Sequence, residues 1–401
     1  MNNRLALSLV FLLCASRVAM AAPFLEKTNL FEEGKDGFAS YRIPGIVVTA
    51  KGSVLAYCEA RKYSGADEGE IEIHLRRSTD GGKTWSPAKQ IAHLGPRLQL
   101  LSLNRPVKRK PPQGQPETQT VNNPVAIAGR DGTIHFLYCV EYQRGFYMRS
   151  EDDGITWSKP VEITPVFEQF RSELDWQRIA TGPGHAVQLR TGRLVAPLWM
   201  STTNKASKLH GAAATIYSDD NGATWHGGEI ALRNGNEANL AGLADGRVFI
   251  TARNGDPRKR RMVAYSPNGA TGWSPPEFVD DLLEPGCMAG MVSYAGTNDT
   301  KKPLLLFSNP NTTKRENRDR ENVTVKASED GGRTWPVSRL LQPGPSAYSD
   351  LAALSDGTIL CFYESGTPEA GLKHHRPWAY AQITLARFNL EWLSAGRDAG
   401  K

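Results

Sequence analysis

Cysteine is scarce in this 401-residue chain: there are five, and Cys14 lies in the apolar N-terminal stretch. Of the other four, Cys58, Cys139 and Cys361 sit in apolar, strand-like runs without metal-ligand spacing, and Cys287 stands apart. Buried free thiols are therefore expected and no metal is, while disulfide pairing stays open. Long hydrophobic runs are also missing. After the N-terminus no segment approaches the apolar length that spans a bilayer, which excludes stable membrane insertion by a helix. Aromatic residues are absent from the basic runs Lys108-Arg109-Lys110 and Arg258-Lys259-Arg260-Arg261, so these read as solvated loops and not as a nucleic-acid surface.

The first 21 residues have the three parts of a signal peptide: Arg4 as the charged start, the apolar run LALSLVFLLCA, and the small-residue exit Ala19-Met20-Ala21. Cleavage is expected after Ala21, and the mature chain is expected to be secreted or periplasmic. No small residue directly precedes Cys14, which argues against a lipoprotein. Removing Arg4 and Arg17 leaves 46 basic against 42 acidic residues, a mild excess that suits an anionic small ligand. The remainder, 22–401, is expected to be one catalytic domain with a core from about 25 to 390.

What is abundant is a repeat. STDGGKTW at 78–85, SEDDGITW at 150–157, SDDNGATW at 218–225 and SEDGGRTW at 328–335 are copies of Ser-x-Asp-x-Gly-x-Thr-Trp. A quieter series of glycine hairpin turns accompanies them, at Lys51-Gly52, Asp131-Gly132, Thr191-Gly192, Asp245-Gly246 and Asp356-Gly357, with a weaker one at Ala295-Gly296. The recurring order is strand, glycine turn, strand, loop, strand, box, strand. Six such units fit, predicting an all-β, six-bladed β-propeller of four-stranded antiparallel sheets. The fourth unit has a decayed box, Ser266 to Trp273, and the sixth has none. The last strands, around WAYAQITLARF, are expected to pair with the N-terminal segment and remove open sheet edges. Segments 98–120 and 309–318 read as inserted surface loops.

A turn explanation covers every box position. The Asp carboxylate accepts backbone N–H groups, Gly permits positive φ, and Trp packs on the neighbouring sheet. In a four-stranded meander the glycine turns and the boxes share one face, so reactive groups belong on the other. Residues expected there are Arg42, Arg61, Asp67, Glu237, Arg253, Arg320, Tyr348 and Glu364. Singly each reads more readily as a surface charge or structural ion pair; their common face is what sets them apart.

YRIPGIV at 41–47, the boxes, GPG at 182–184, Arg253, RENVTV at 320–325, and YSDL at 348–351 followed by YE at 363–364 resemble the bacterial-type exo-α-sialidases over about residues 25 to 390. The resemblance implies that Arg42, Arg253 and Arg320 clamp a sialic acid carboxylate and that Glu364 orients Arg42. It implies Tyr348 as nucleophile with Glu237 as its base, Asp67 as general acid and then base, and Arg61 as a substrate-binding residue that steadies either the ligand end of the ring or Asp67 itself. It also implies sialylated glycans as partners, no cofactor, and retention of configuration. Transfer to a second sugar, an intramolecular product, or a glycan-binding propeller without catalysis stay open. GPG with His185 reads as pocket rim or as backbone geometry. Trp176 and Trp199 are candidates for the N-acyl pocket, a core role standing beside it for Trp199; oligomeric state is not legible.

Overall fold

The computed structural model describes residues 22–93, 98, 119–295, 303–314, 320–375 and 378–395. The expected signal peptide at 1–21, most of the expected loop at 98–120, Gly296 and Arg315 to Arg318 lie outside them. The described residues are all-β apart from three short helical segments, Thr164–Ser172, Pro368–His374 and Leu390–Ser394.

Strands Ser40–Val48, Val54–Arg61, Ile71–Ser78 and Lys89–Ala92 form one four-stranded sheet, and Gly235–Gly242, Val248–Asn254, Arg260–Ser266 and Glu277–Leu283 form another. Two sheets have five strands. One is built on Val121–Ala128, Ile134–Val140 and Arg144–Ser150, the other on Leu194–Ser201, Gly211–Ser218 and His226–Arg233. A seven-stranded sheet completes the set, running from Leu25–Glu32 at one edge to Gly290–Tyr294 at the other.

This corrects the six-bladed expectation: the described strands form five hydrogen-bonded sheets, and two of these have four strands. The physical reason is Val337–Ala353, a continuous 17-residue strand that starts just after the box at 328–335 and runs on through Tyr348. Its first half pairs with Glu321–Ser328 and its second half with Ile359–Ser365, so two meanders share one strand. The added strands in the five-stranded sheets come from 178–188. There Gly184–His185 pairs in parallel with Val121–Ala128, and Arg178–Thr181 pairs with Leu194–Ser201.

The sheets are arranged like a propeller, with apolar layers between neighbours. Val125, Ile127 and Leu137 meet Leu194, Ala196, Leu198 and Trp225; Ala241, Phe249 and Val263 meet Met291, Leu305 and Phe307. Ile46, Val54 and Ala56 of the first sheet meet Leu360, Phe362 and Leu385 of the seven-stranded sheet. Fully burying one such Leu or Phe contributes about 1.5–3 kcal/mol. Leu25–Glu32 pairs antiparallel with Gln382–Phe388, so the N-terminal segment covers the last strand's edge.

The boxes are turns. Asp80 Oδ1 accepts from the N–H groups of Lys83 (3.0 Å) and Thr84 (2.9 Å), and Ser78 Oγ accepts from Gly82 N–H at 2.8 Å. In the decayed copy Asn268 Oδ1 accepts from Ala270 and Thr271 N–H at 2.8 and 2.9 Å, so an amide serves where a carboxylate stood. Trp225 packs at 5.5 Å from Tyr147 of the neighbouring sheet. All four described cysteines are buried and free. No described helix is long and apolar enough to cross a membrane.

Candidate active site

The inner strands carry a register shift at the end away from the boxes. Shifts fall between Arg42 and Gly45, Asn122 and Val125, Gly235 and Ala238, and Ser346 and Ser349. Such bulges bend a strand and re-aim its side chains. The first explains the Arg-Ile-Pro-Gly run. Ile43 has φ +63°, a strained value for a β-branched residue, and its N–H is turned to Glu364 Oε1 at 3.0 Å. Gly45 lies against Tyr57, where a Cβ would come within 2.2 Å of the ring.

Glu364 is fully buried and holds two strands together. It accepts Arg42 Nε at 2.7 Å, Arg42 Nη2 at 3.3 Å, and the N–H groups of Ile43 and Tyr348 at 3.0 and 3.1 Å. Arg42 is thereby fixed below the ring of Tyr380 (4.0 Å) and beside that of Tyr348 (5.2 Å). Arg320 lies 5.0 Å from the Tyr348 ring, donates to Tyr380 OH at 3.3 Å and to the Gly286 carbonyl, and leaves its buried Nε without a partner. Arg253 Nη1 donates to Glu237 Oε2 at 3.0 Å and to Tyr348 OH at 3.2 Å. Three guanidinium groups therefore converge on one phenol.

Tyr348 OH donates to Glu237 Oε1 at 2.5 Å. Burial first, then the adjacent Glu237 carboxylate, push the phenol well above its ordinary pKa, against the opposing pull of Arg253 and Arg320. The phenol is neutral at rest, and Glu237 is placed to take its proton.

Asp67 is 66% exposed at the mouth, with Oδ1 2.8 Å from Arg61 Nη1 and 3.8 Å from Arg42 Nη1. Desolvation raises its carboxyl, but Arg61 and then Arg42 outweigh that and bring it to about 2. Arg61 is fully buried. It donates to Glu59 Oε2 through Nε (3.0 Å) and Nη2 (2.7 Å) and to the Gly65 carbonyl at 2.7 Å, so it anchors the Asp67 loop.

The structure thus brings Arg42, Arg61, Asp67, Glu237, Arg253, Arg320, Tyr348 and Glu364 to one end of the sheets. It removes others. Trp176 is in the core, its Nε1 donating to the Phe167 carbonyl at 3.2 Å. Trp199 packs with Tyr142, Cys139 and Ala180 in a small buried cluster. His185 is not on the rim: it is buried beside Asp350. Three contributors were not anticipated. Tyr380 stacks on Arg42, and Glu59 neutralises Arg61. Glu284 pairs with buried Arg261 (2.8 Å) and accepts Gly286 N–H (2.6 Å), shaping the loop whose carbonyl meets Arg320. Glu59 left a trace in the sequence, an acid two residues before Arg61 in an otherwise apolar strand; Tyr380 left none.

Among the described residues one group has metal-compatible spacing: Glu70, Glu72 and His93, with donor atoms within 4.8 Å of one another. It lies beside the outer strand Lys89–Ala92 and contributes no group to the cluster around Tyr348.

Residues 52–361 match the family model of the BNR repeat-like domain. The chain belongs to the BNR-repeat family of bacterial-type sialidases. It is 30% identical over 398 residues to a sialidase of Micromonospora viridifaciens, covering 92% of this chain and 55% of that protein. It is 33% identical over 351 residues to a sialidase of Bacteroides fragilis (strain YCH46), covering 83% of this chain and 61% of the relative. The chain therefore spans a little over half the length of these two relatives. Among solved structures, a Hadza microbial sialidase, Hz136, superposes with a TM-score of 0.71 at 28% identity, covering 90% of this chain and 68% of that one. Within this BNR-repeat member, the box-bearing turns supply scaffold, while Arg42 and Glu237 come from bulged inner strands, Arg61, Arg253 and Glu364 from the far ends of the next strands, Arg320 from just before a third strand and Asp67 from a loop.

Proposed function

We propose that this chain is a secreted, retaining exo-α-sialidase, a glycoside hydrolase that releases terminal α-linked sialic acids from glycans, glycoproteins or glycolipids through a covalent intermediate on Tyr348. The observation that carries the reading is the 2.5 Å hydrogen bond from Tyr348 OH to Glu237, set among Arg42, Arg253 and Arg320. Most glycosidases use two carboxylates, and sialidases with a tyrosine nucleophile are a recognised exception. The electrostatic reason is direct: a carboxylate nucleophile would be repelled by the substrate carboxylate beside the reacting carbon, and a neutral phenol is not.

In the first step the arginines hold the substrate carboxylate with charge-assisted bonds, each worth about 1.5–3 kcal/mol. The Tyr348 oxygen bonds to the anomeric carbon as the bond to the leaving oxygen breaks. The phenolic proton passes to Glu237, and Asp67 protonates the departing oxygen. In the second step Asp67 takes a proton from water, which displaces the tyrosyl oxygen, and Glu237 returns its proton to Tyr348. Two inversions give retention.

A carboxyl at about 2 is ionised near neutral pH. A bound sialic acid carboxylate offsets Arg42 and Arg320, two of the charges that hold Asp67 down, and so favours its protonated, acid-competent form. The apolar segment Met1–Ala21 supports export. Release of fluorophore from an α-sialoside tests the activity; absence of turnover by folded protein at about pH 4–8, with tight sialoside binding, would make this a glycan-binding propeller instead. NMR of the product distinguishes hydrolysis from transfer or an intramolecular product.

A further inference from the structure

Directly beneath the site, on the axis where the inner strands meet, lies a polar centre that the reaction above does not use. Asp350 is fully buried. Its Oδ2 accepts Ile46 N–H at 3.0 Å, and its Oδ1 faces His185 Nδ1 at 2.8 Å and Asn239 Nδ2 at 3.5 Å. Ile46 follows Arg42 by four residues, Asn239 follows Glu237 by two and Asp350 follows Tyr348 by two. Ile46, Asn239 and Asp350 thus sit just past the bulges on the strands that carry Arg42, Glu237 and Tyr348. His185 belongs to the short strand paired with Val121–Ala128, and Tyr57 OH joins the two by donating to the Gly184 carbonyl at 2.7 Å and accepting Ala126 N–H at 2.9 Å. Gly184 has φ +101°, and a Cβ there would stand 2.5 Å from Met288 Cε, 3.1 Å from Asn239 Nδ2 and 3.3 Å from Asp350 Oδ1. The glycine is needed because the centre occupies the space a side chain would take.

We infer that Asp350 is a positioning residue: its buried carboxylate, held by Ile46, His185 and Asn239, fixes the spacing of Arg42, Glu237 and Tyr348. Bulged strands have lost ladder bonds at this level, so their relative height needs another constraint. Hydrophobic layers between sheets supply stability but tolerate small slips. A buried, multiply bonded carboxylate does not, because a shift leaves its charge unpaired. A misplacement of about 1 Å at the reacting groups can lower turnover on the order of 10²-fold. Asp350 touches no substrate, so its effect is exerted through its own and neighbouring strands.

The inference rests on the sialidase reading, and the experiment separates the two. Wild type is first assayed on a fluorogenic α-sialoside; no turnover removes the reading and this inference with it. Given turnover, Asp350→Asn is compared with Asp153→Asn. Asp153 is also a buried carboxylate tying two sheets, through Thr49 Oγ1 and Ser53 Oγ at 2.6 Å each, but on the box face. Rates are expressed per folded molecule, from thermal melts. Asp350→Asn should lower kcat by about tenfold or more, with Asp153→Asn within about twofold of wild type although it also melts earlier. If Asp350→Asn does not fold, His185→Ala, which leaves the carboxylate but removes its shortest partner, should lower kcat by about threefold or more. Wild-type kcat per folded molecule in the variant that folds would overturn the inference while leaving the sialidase reading intact.

Discussion

Replacing Glu364 by Gln keeps shape and volume and removes one charge at the most heavily bonded buried carboxylate of the site. The four donors around it divide into two pairs: Arg42 Nε and Ile43 N–H on Oε1, Arg42 Nη2 and Tyr348 N–H on Oε2. An amide satisfies only one pair. With its oxygen on the shorter pair, the NH2 group faces Tyr348 N–H and Arg42 Nη2, donor against donor. An unsatisfied buried backbone N–H costs about 1–3 kcal/mol, and breaking a buried ion pair costs about 3–5 kcal/mol in total. We therefore expect Glu364→Gln to lose about 3 kcal/mol in urea unfolding followed by tryptophan fluorescence, with an unchanged m value. Because Arg42 loses its orientation, KM for an α-sialoside should rise about tenfold or more. A stability loss below about 1 kcal/mol together with KM within about twofold of wild type would refute the reasoning.

Other outcomes are equally specific. Tyr348→Phe should lower turnover by on the order of 10³-fold or more, with the affinity for a dehydrated sialic acid analogue, measured by calorimetry, changing little. Gly184→Ala must place a Cβ at a positive φ against Met288, and a loss of about 2–5 kcal/mol is expected by the same urea assay. The box carboxylates of Asp152 and Asp220, held at about 2 chiefly by the Thr156 and Thr224 hydrogen bonds, are depressed relative to the unfolded chain. Their stabilisation is present above the unfolded value near 4 and is lost as pH falls toward 2, so melting temperature should drop over that window; Asp220→Asn should make the drop shallower.

The sequence exposed what is local and hid what is made through space. A box is legible because Ser78, Asp80, Gly82 and Thr84 satisfy one another within one turn, and Asn268 shows that the pattern survives a change of acceptor. Its face then limited where Arg42, Glu237 and Tyr348 could be sought. Strand continuity is not local: nothing in QPGPSAYSDL marks that 337–353 runs unbroken between two meanders, which is why six separate sheets were expected and five formed. Tyr380 acts by stacking on Arg42 across more than three hundred residues of chain, and no spacing rule reaches that far. His185 beside the strained glycine was legible as a special position but not as an axial one, since its partner Asp350 comes from a distant strand.

In the proposed reaction Tyr348 becomes covalently bonded to sialic acid and Glu237 receives its proton. The direct measurement is mass spectrometry of peptides after reaction with a 2,3-difluorinated sialic acid, whose fluorines slow breakdown of a glycosyl-enzyme. One adduct is expected, on the peptide containing Tyr348, that is absent in Tyr348→Phe and forms much more slowly in Glu237→Gln. An adduct on Glu237 or Asp67, or its persistence in Tyr348→Phe, would contradict it.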